Sequence, residues 1–185
     1  MKRKHFFEKH ADLKVDGIVS NPPVNMFPQE TDWTCSIACV RTLLSGVVEK
    51  VPSEEELVKK YEMTPGPYYS KDMKKRGMFS EYDIIYGCDH PDAEFEYVLE
   101  LMKDGYHVML ECMYNYAHWF VLLGYYPLAG GELEKSSLLI YDPYYDNVRL
   151  LNADEFLAMW IDGDYINSQV RKDFVAIREG DHSEL

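Results

Sequence analysis

The chain reads as an α+β protein, with helices leading and an antiparallel sheet following. Two observations carry that reading. In the first 105 residues, apolar side chains recur at helical spacing, at 37, 40, 43, 44, 47 and 48 and again at 95, 98, 99 and 102. After Gly105 the pattern changes to short apolar, β-rich runs at 106–113, 118–126 and 137–142. A length of 185 residues with 46% hydrophobic content suits one domain with a real core.

The elements follow in order. Residues 1–28 mix charge with Asn21-Pro22-Pro23 and Phe27-Pro28, and form an irregular lead-in with one short strand near Gly17-Ile18-Val19. The domain proper is placed at 29–180, with a tail at 181–185. A core-facing helix runs from Cys35 to about Val48. Ser53 and Glu56 make a capping box for a second helix, ending near Tyr61. Residues 62–92 hold Pro65, Gly66, Pro67, Gly77, Gly87 and Pro91, so short helical turns at most are expected there. A loop of that length is a candidate wall for a substrate cleft, and a plain surface insertion is the alternative. Ala93 to Asp104 forms a strong helix closed by Gly105 in the left-handed conformation. Beyond the three β runs, Val148 to Leu151 is a fourth, after a tight turn at Tyr144-Tyr145-Asp146-Asn147. Gly130-Gly131 marks another turn. Asn152 caps a helix through Trp160, and Asp173 to Arg178 is the last strand.

Composition narrows the partners. Nineteen basic against 32 acidic residues leave a net charge of −13. Such a chain is a poor partner for a nucleic-acid backbone or an anionic membrane. No apolar run reaches the length of a membrane span. The basic N-terminal stretch leads into no apolar segment, so no secretory signal is read and the expected compartment is the cytoplasm. There the cysteines at 35, 39, 88 and 112 stay reduced. Cys35 and Cys39, one helical turn apart, are badly placed for a bridge.

The residues with chemical promise lie at element edges. Cys35 opens the first helix, where a cysteine faces unpaired backbone N–H groups and the positive end of the helix dipole, an environment that favours a thiolate. His118 heads an apolar strand, and Asp142 ends the next one in Asp142-Pro143. A thiol, an imidazole and a carboxylate in that order are what an activated thiol nucleophile needs. Gln29, six positions before Cys35, is placed to donate to an oxygen that develops charge beside the sulfur. Each has a plainer reading: Cys35 as a small core residue, His118 as a strand histidine on a carbonyl, Asp142 as a turn former, Gln29 as a solvated loop amide. The rivals are His107 for the base and Asp146 for the acid. His90 lies in the loop, and His5, His10 and His182 near the termini. Cys39 is read as core. A zinc site from Cys35, Cys39, Cys112 and His118 is the metal alternative, but it lacks a tight Cys-x2-Cys pair.

These pieces resemble the papain-like cysteine peptidases, and most closely the C39-like, bacteriocin-processing type. The matching segments are Gln29, Cys35-Ser36-Ile37-Ala38-Cys39-Val40, His118-Trp119-Phe120-Val121-Leu122-Leu123, Tyr141-Asp142-Pro143 and Glu155-Phe156-Leu157-Ala158-Met159-Trp160-Ile161-Asp162-Gly163. They run in the family's order from 29 to 163. Ser36 stands where the family has glycine, and Asp32 precedes the cysteine by three residues rather than one. The resemblance implies a papain-like fold with N-terminal helices packed on an antiparallel sheet. It implies a peptidase with Cys35, His118 and Asp142 as triad and Gln29 in the oxyanion hole. The substrate would be a peptide or protein, with no metal or organic cofactor. An acyltransferase or transglutaminase-like enzyme using the same triad, and a non-catalytic peptide-binding module, are the alternatives. Oligomeric state stays open.

Overall fold

The computed structural model describes residues 17–113, 117–127, 136–161 and 172–180. Gly130-Gly131, the termini with His5, His10 and His182, and the pair Asp162-Gly163 lie outside the described residues. The elements in chain order are β1 (Val19–Ser20), α1 (Cys35–Leu44), α2 (Glu54–Lys60), α3 (Ser70–Lys75), β2 (Asp83–Tyr86) and α4 (Phe95–Lys103). They continue with β3 (His107–Met113), β4 (Ala117–Tyr126), β5 (Ser137–Asp142), β6 (Asn147–Asn152), α5 (Ala153–Ile161) and β7 (Phe174–Arg178).

The strands form one sheet in the order β2-β7-β3-β4-β5-β6, and every pairing is antiparallel. β1 pairs with β4 at Gly124 and Tyr125, taking over that edge where β3 begins. With helices and an antiparallel sheet, the fold class is α+β. Helices cover both faces of the sheet. Ile37, Val40, Leu43 and Leu44 of α1 share one core with Met109, Trp119, Val121, Val175 and Ile177. Phe95, Val98, Leu99 and Met102 of α4, with Phe156, Leu157 and Trp160 of α5, share the other with Leu110, Phe120, Leu122, Ile140 and Phe174. Burial on both faces is why β4 reads as a continuous apolar run instead of an alternating one.

Local chemistry explains the boundaries. Ser53 Oγ accepts from Glu56 N at 3.2 Å while Glu56 Oε2 accepts from Ser53 N at 2.7 Å, so the capping box of α2 is formed. Gly105 follows α4 with φ +89°, and Asn152 Oδ1 accepts from Asp154 N at 3.1 Å at the start of α5. α1 stops at Leu44, four residues short of the sequence expectation. Gly46 lies there against the ring of His107, where a Cβ would sit 2.0 Å from Nε2.

The segment 62–92 is more ordered than its prolines and glycines suggest. It contains α3, the edge strand β2 and a 3-10 turn at Gly87–Asp89. Met63, Tyr68, Met73, Met78 and Phe79 bury their side chains in the α1 core, and Trp119 Nε1 donates to Tyr68 O at 2.8 Å. The lead-in is also tied down. Asn21 N donates to Leu123 O, Asn25 N to Ser45 Oγ and Phe27 N to Thr42 Oγ1. These bonds carry the chain across α1 to Gln29. Among the described residues, no helix is long and apolar enough to cross a membrane.

Candidate active site

α1 begins at Cys35 because the loop before it is used up in its own hydrogen bonds. Thr34 Oγ1 pairs with Thr31 Oγ1 at 2.9 Å and accepts from Thr31 N at 3.2 Å. Thr34 therefore makes no side-chain cap, and no acidic residue stands in the first turn. The amides at the start of α1 keep their partial positive charge beside the half-buried Cys35.

The sheet brings the other two groups to this end of the helix. In the β4–β5 register Val121 lies opposite Tyr141, so Asp142 falls within a side chain's reach of His118. His118 Nε2 and Asp142 Oδ1 are 2.9 Å apart, and both residues are buried. With Nε2 engaged by Asp142, Nδ1 is the nitrogen left for Cys35, which stands close enough to raise the same imidazole. The ring is also packed edge-on against Phe120, 4.8 Å between centroids.

Electrostatics follow from these contacts. Burial alone would push the His118 imidazole down. The hydrogen bond to Asp142 and the nearby Cys35, with the charges behind them, outweigh burial and raise it to about 9. Burial would push the Asp142 carboxyl up. The His118 hydrogen bond and charge, the Tyr144 N–H at 3.0 Å and the Arg149 guanidinium hold it below the ordinary carboxylate value instead. Arg149 Nη2 donates to Asp142 Oδ2.

Gln29 is beside this cluster through its main chain, Gln29 N donating to Pro143 O at 3.0 Å, one residue past Asp142. Its Nε2 donates to Thr31 O at 2.6 Å, and its Oε1 is buried without a partner among the described residues. An amide nitrogen carries two donors, so one N–H engaged by Thr31 leaves a second. The rivals sit elsewhere. His107, at the other end of β3 from the cluster, has Nδ1 3.1 Å from Asn21 O. Asp146 accepts from the Tyr141 hydroxyl at 2.8 Å, and His90 packs on Tyr97. Cys39 Sγ donates to Trp119 O at 3.3 Å in the core, and burial pushes that thiol well up. None of the cysteines at 35, 39, 88 and 112 is in a disulfide. Among the described residues, no group of three or more His, Cys, Asp or Glu is arranged to hold a metal ion.

Two residues near the site went unnoticed in the sequence. Arg149 is one. The other is Glu111 of β3, buried, with Oε1 unpartnered among the described residues. Burial raises its carboxyl to about 8, with Asp173 adding to the rise and His118 opposing it. Burial likewise raises Asp173 to about 6 against the hydrogen bonds from Ser70. An acid that keeps its proton longer when folded loses stability as pH rises from its unfolded value to its folded one. For Glu111 that window is pH 4.5 to 8. His118, raised when folded, contributes stability below pH 6.5 that is lost as pH rises through 9, so the two slopes have the same sign. Glu111→Gln is therefore expected to flatten the fall between pH 5 and 8 by about 1 kcal/mol per pH unit. Urea unfolding across that range checks it; an unchanged slope would remove Glu111 from the account.

A scan against protein-family models finds no match for this chain, and a search of curated proteins finds no relative.

Proposed function

We propose that the protein is a cysteine hydrolase of papain-like fold, acting on peptide amide bonds through Cys35, His118 and Asp142 with Gln29 as oxyanion donor. One observation carries the reading: a buried imidazole bonded through Nε2 to a buried carboxylate, with a cysteine at a helix start close enough to raise the same ring. A strand histidine satisfied for structural reasons has no need of a thiol at a helix N-terminus.

In this reading His118 Nδ1 takes the Cys35 proton, and the thiolate forms a C–S bond to the scissile carbonyl carbon. The carbonyl π electrons move onto oxygen, which is met by the Cys35 N–H and the Gln29 amide. As that oxyanion collapses, the C–N bond breaks and His118 gives its proton to the leaving amine. Water then attacks the thioester with His118 as base, the C–S bond breaks, and acid and thiolate are left. Asp142 accepts from Nε2 throughout, fixing the tautomer and stabilising the imidazolium. The net charge of −13 favours peptides with basic stretches over acidic ones. No step requires a metal or organic cofactor.

The test is incubation with an epoxide-bearing peptide inhibitor, followed by intact-mass analysis and turnover of a peptide library. One adduct on Cys35 with hydrolysis of library members is expected. An adduct-free protein that turns over nothing contradicts the reading. Product carrying an added amine in place of water would assign acyl transfer.

A further inference from the structure

We infer that Arg149 is a positioning residue of this site: its guanidinium holds Asp142 Oδ2 so that Oδ1 stays on His118. The inference rests on the triad reading above and adds a fourth side chain to it.

Asp142 is only 1% exposed, so each of its oxygens needs a partner inside the protein. Oδ1 receives His118 Nε2 at 2.9 Å and Tyr144 N at 3.0 Å. Oδ2 receives Arg149 Nη2. Without the guanidinium, a buried carboxylate oxygen would be left unsatisfied. The carboxylate would then turn to share Oδ1 between competing donors, or take up a proton.

Arg149 reaches this oxygen from the edge strand β6, from the position opposite Ile140, two residues back along β5 from Asp142. Its guanidinium carbon lies 5.3 Å from the centroid of the Tyr145 ring, which roofs it. The reach has a cost, since Arg149 Nε is buried with no hydrogen-bond partner among the described residues. An arginine on an edge strand could turn outward and hydrate every N–H. The inward conformation is therefore held by the carboxylate, and a solvated arginine would show no such arrangement.

The titratable and charged groups facing Asp142 are His118 from β4, Arg149 from β6, Cys39 from α1 and Tyr141 beside it on β5. Arg149 is the cation among them that does not exchange protons near neutrality. Removing it leaves the buried carboxylate oxygen bare, an effect set against the stronger pull that an unshared charge would exert on His118. With Asp142 so deeply buried, the loss of its oxygen's partner dominates, and the thiol–imidazole pair is less well held.

The test follows Cys35 alkylation by iodoacetamide at pH 6, read by peptide mapping, in wild type, His118→Ala, Arg149→Ala and Arg149→Lys. Arg149→Ala is expected to react about tenfold more slowly than wild type, with added guanidinium or the lysine variant restoring most of the rate. A wild-type rate in Arg149→Ala overturns the inference. So does a slowed rate that neither guanidinium nor lysine restores, because the loss would then be structural. Should Arg149→Ala not fold, Arg149→Gln, which loses the charge and keeps the stem, is held to the same tenfold criterion. Equal rates in wild type and His118→Ala would overturn the triad reading itself, so the two failures are told apart.

Discussion

Asp142→Asn is expected to lower turnover about ten-thousandfold while the protein stays folded. The size of the effect comes from the three donors around the carboxylate. His118 Nε2 and Tyr144 N point at Oδ1, and Arg149 Nη2 points at Oδ2. An asparagine amide has one acceptor atom where the carboxylate has two. If its oxygen goes to Arg149, its NH2 faces His118 and forces the tautomer that has no lone pair at Nδ1 to take the thiol proton. If its oxygen stays on His118, the imidazolium loses the charge that stabilised it. Asp146→Asn, in contact with the Tyr141 hydroxyl instead, is expected to retain near-wild-type turnover. Steady-state kinetics on both variants, with circular dichroism as the folding control, check the pair. The reverse pattern would move the acid to the turn.

Gln29→Ala is expected to reduce turnover about a hundred- to a thousandfold, with the loss in kcat and little change in KM. The main-chain bond from Gln29 N to Pro143 O does not depend on the side chain, so the loop should keep its place beside Asp142. Cys35, His118 and Asp142 remain, so alkylation of Cys35 should be largely preserved. That combination belongs to an oxyanion donor; a binding module would show a change in affinity alone. Unchanged turnover would take Gln29 out of the mechanism and withdraw one support for the papain-like reading.

Much of the architecture is written locally. α2 announces itself through Ser53 and Glu56, α4 through its apolar stripe and Gly105, and the long strands through runs that only a sheet accommodates at that length. The approach of His118 to Asp142 was legible because one ends and the other begins a neighbouring β run. What was not legible depends on partners distant in sequence. β2 is four residues long, and its Asp83 is held by Arg178 and Tyr106 from far along the chain. A charged opening and flanking prolines and glycines hide such a strand. Arg149 looks like a solvated edge-strand arginine until the hairpin register sets it diagonally across from Asp142. Glu111 sits in an apolar run, and nothing local marks that its carboxyl is buried with the apolar side chains around it.

The central claim is that the buried imidazole serves the thiol, and selective alkylation measures that most directly. Cys88 is the informative comparator, because it is the exposed cysteine while Cys39 and Cys112 are buried. On accessibility alone Cys88 should react first. If His118 and the start of α1 activate Cys35, iodoacetamide at pH 6 should label half-buried Cys35 ahead of exposed Cys88, and His118→Ala should abolish that lead. Cys88 reacting as fast as Cys35 in the wild-type protein, or a Cys35 lead that survives His118→Ala, would contradict the account.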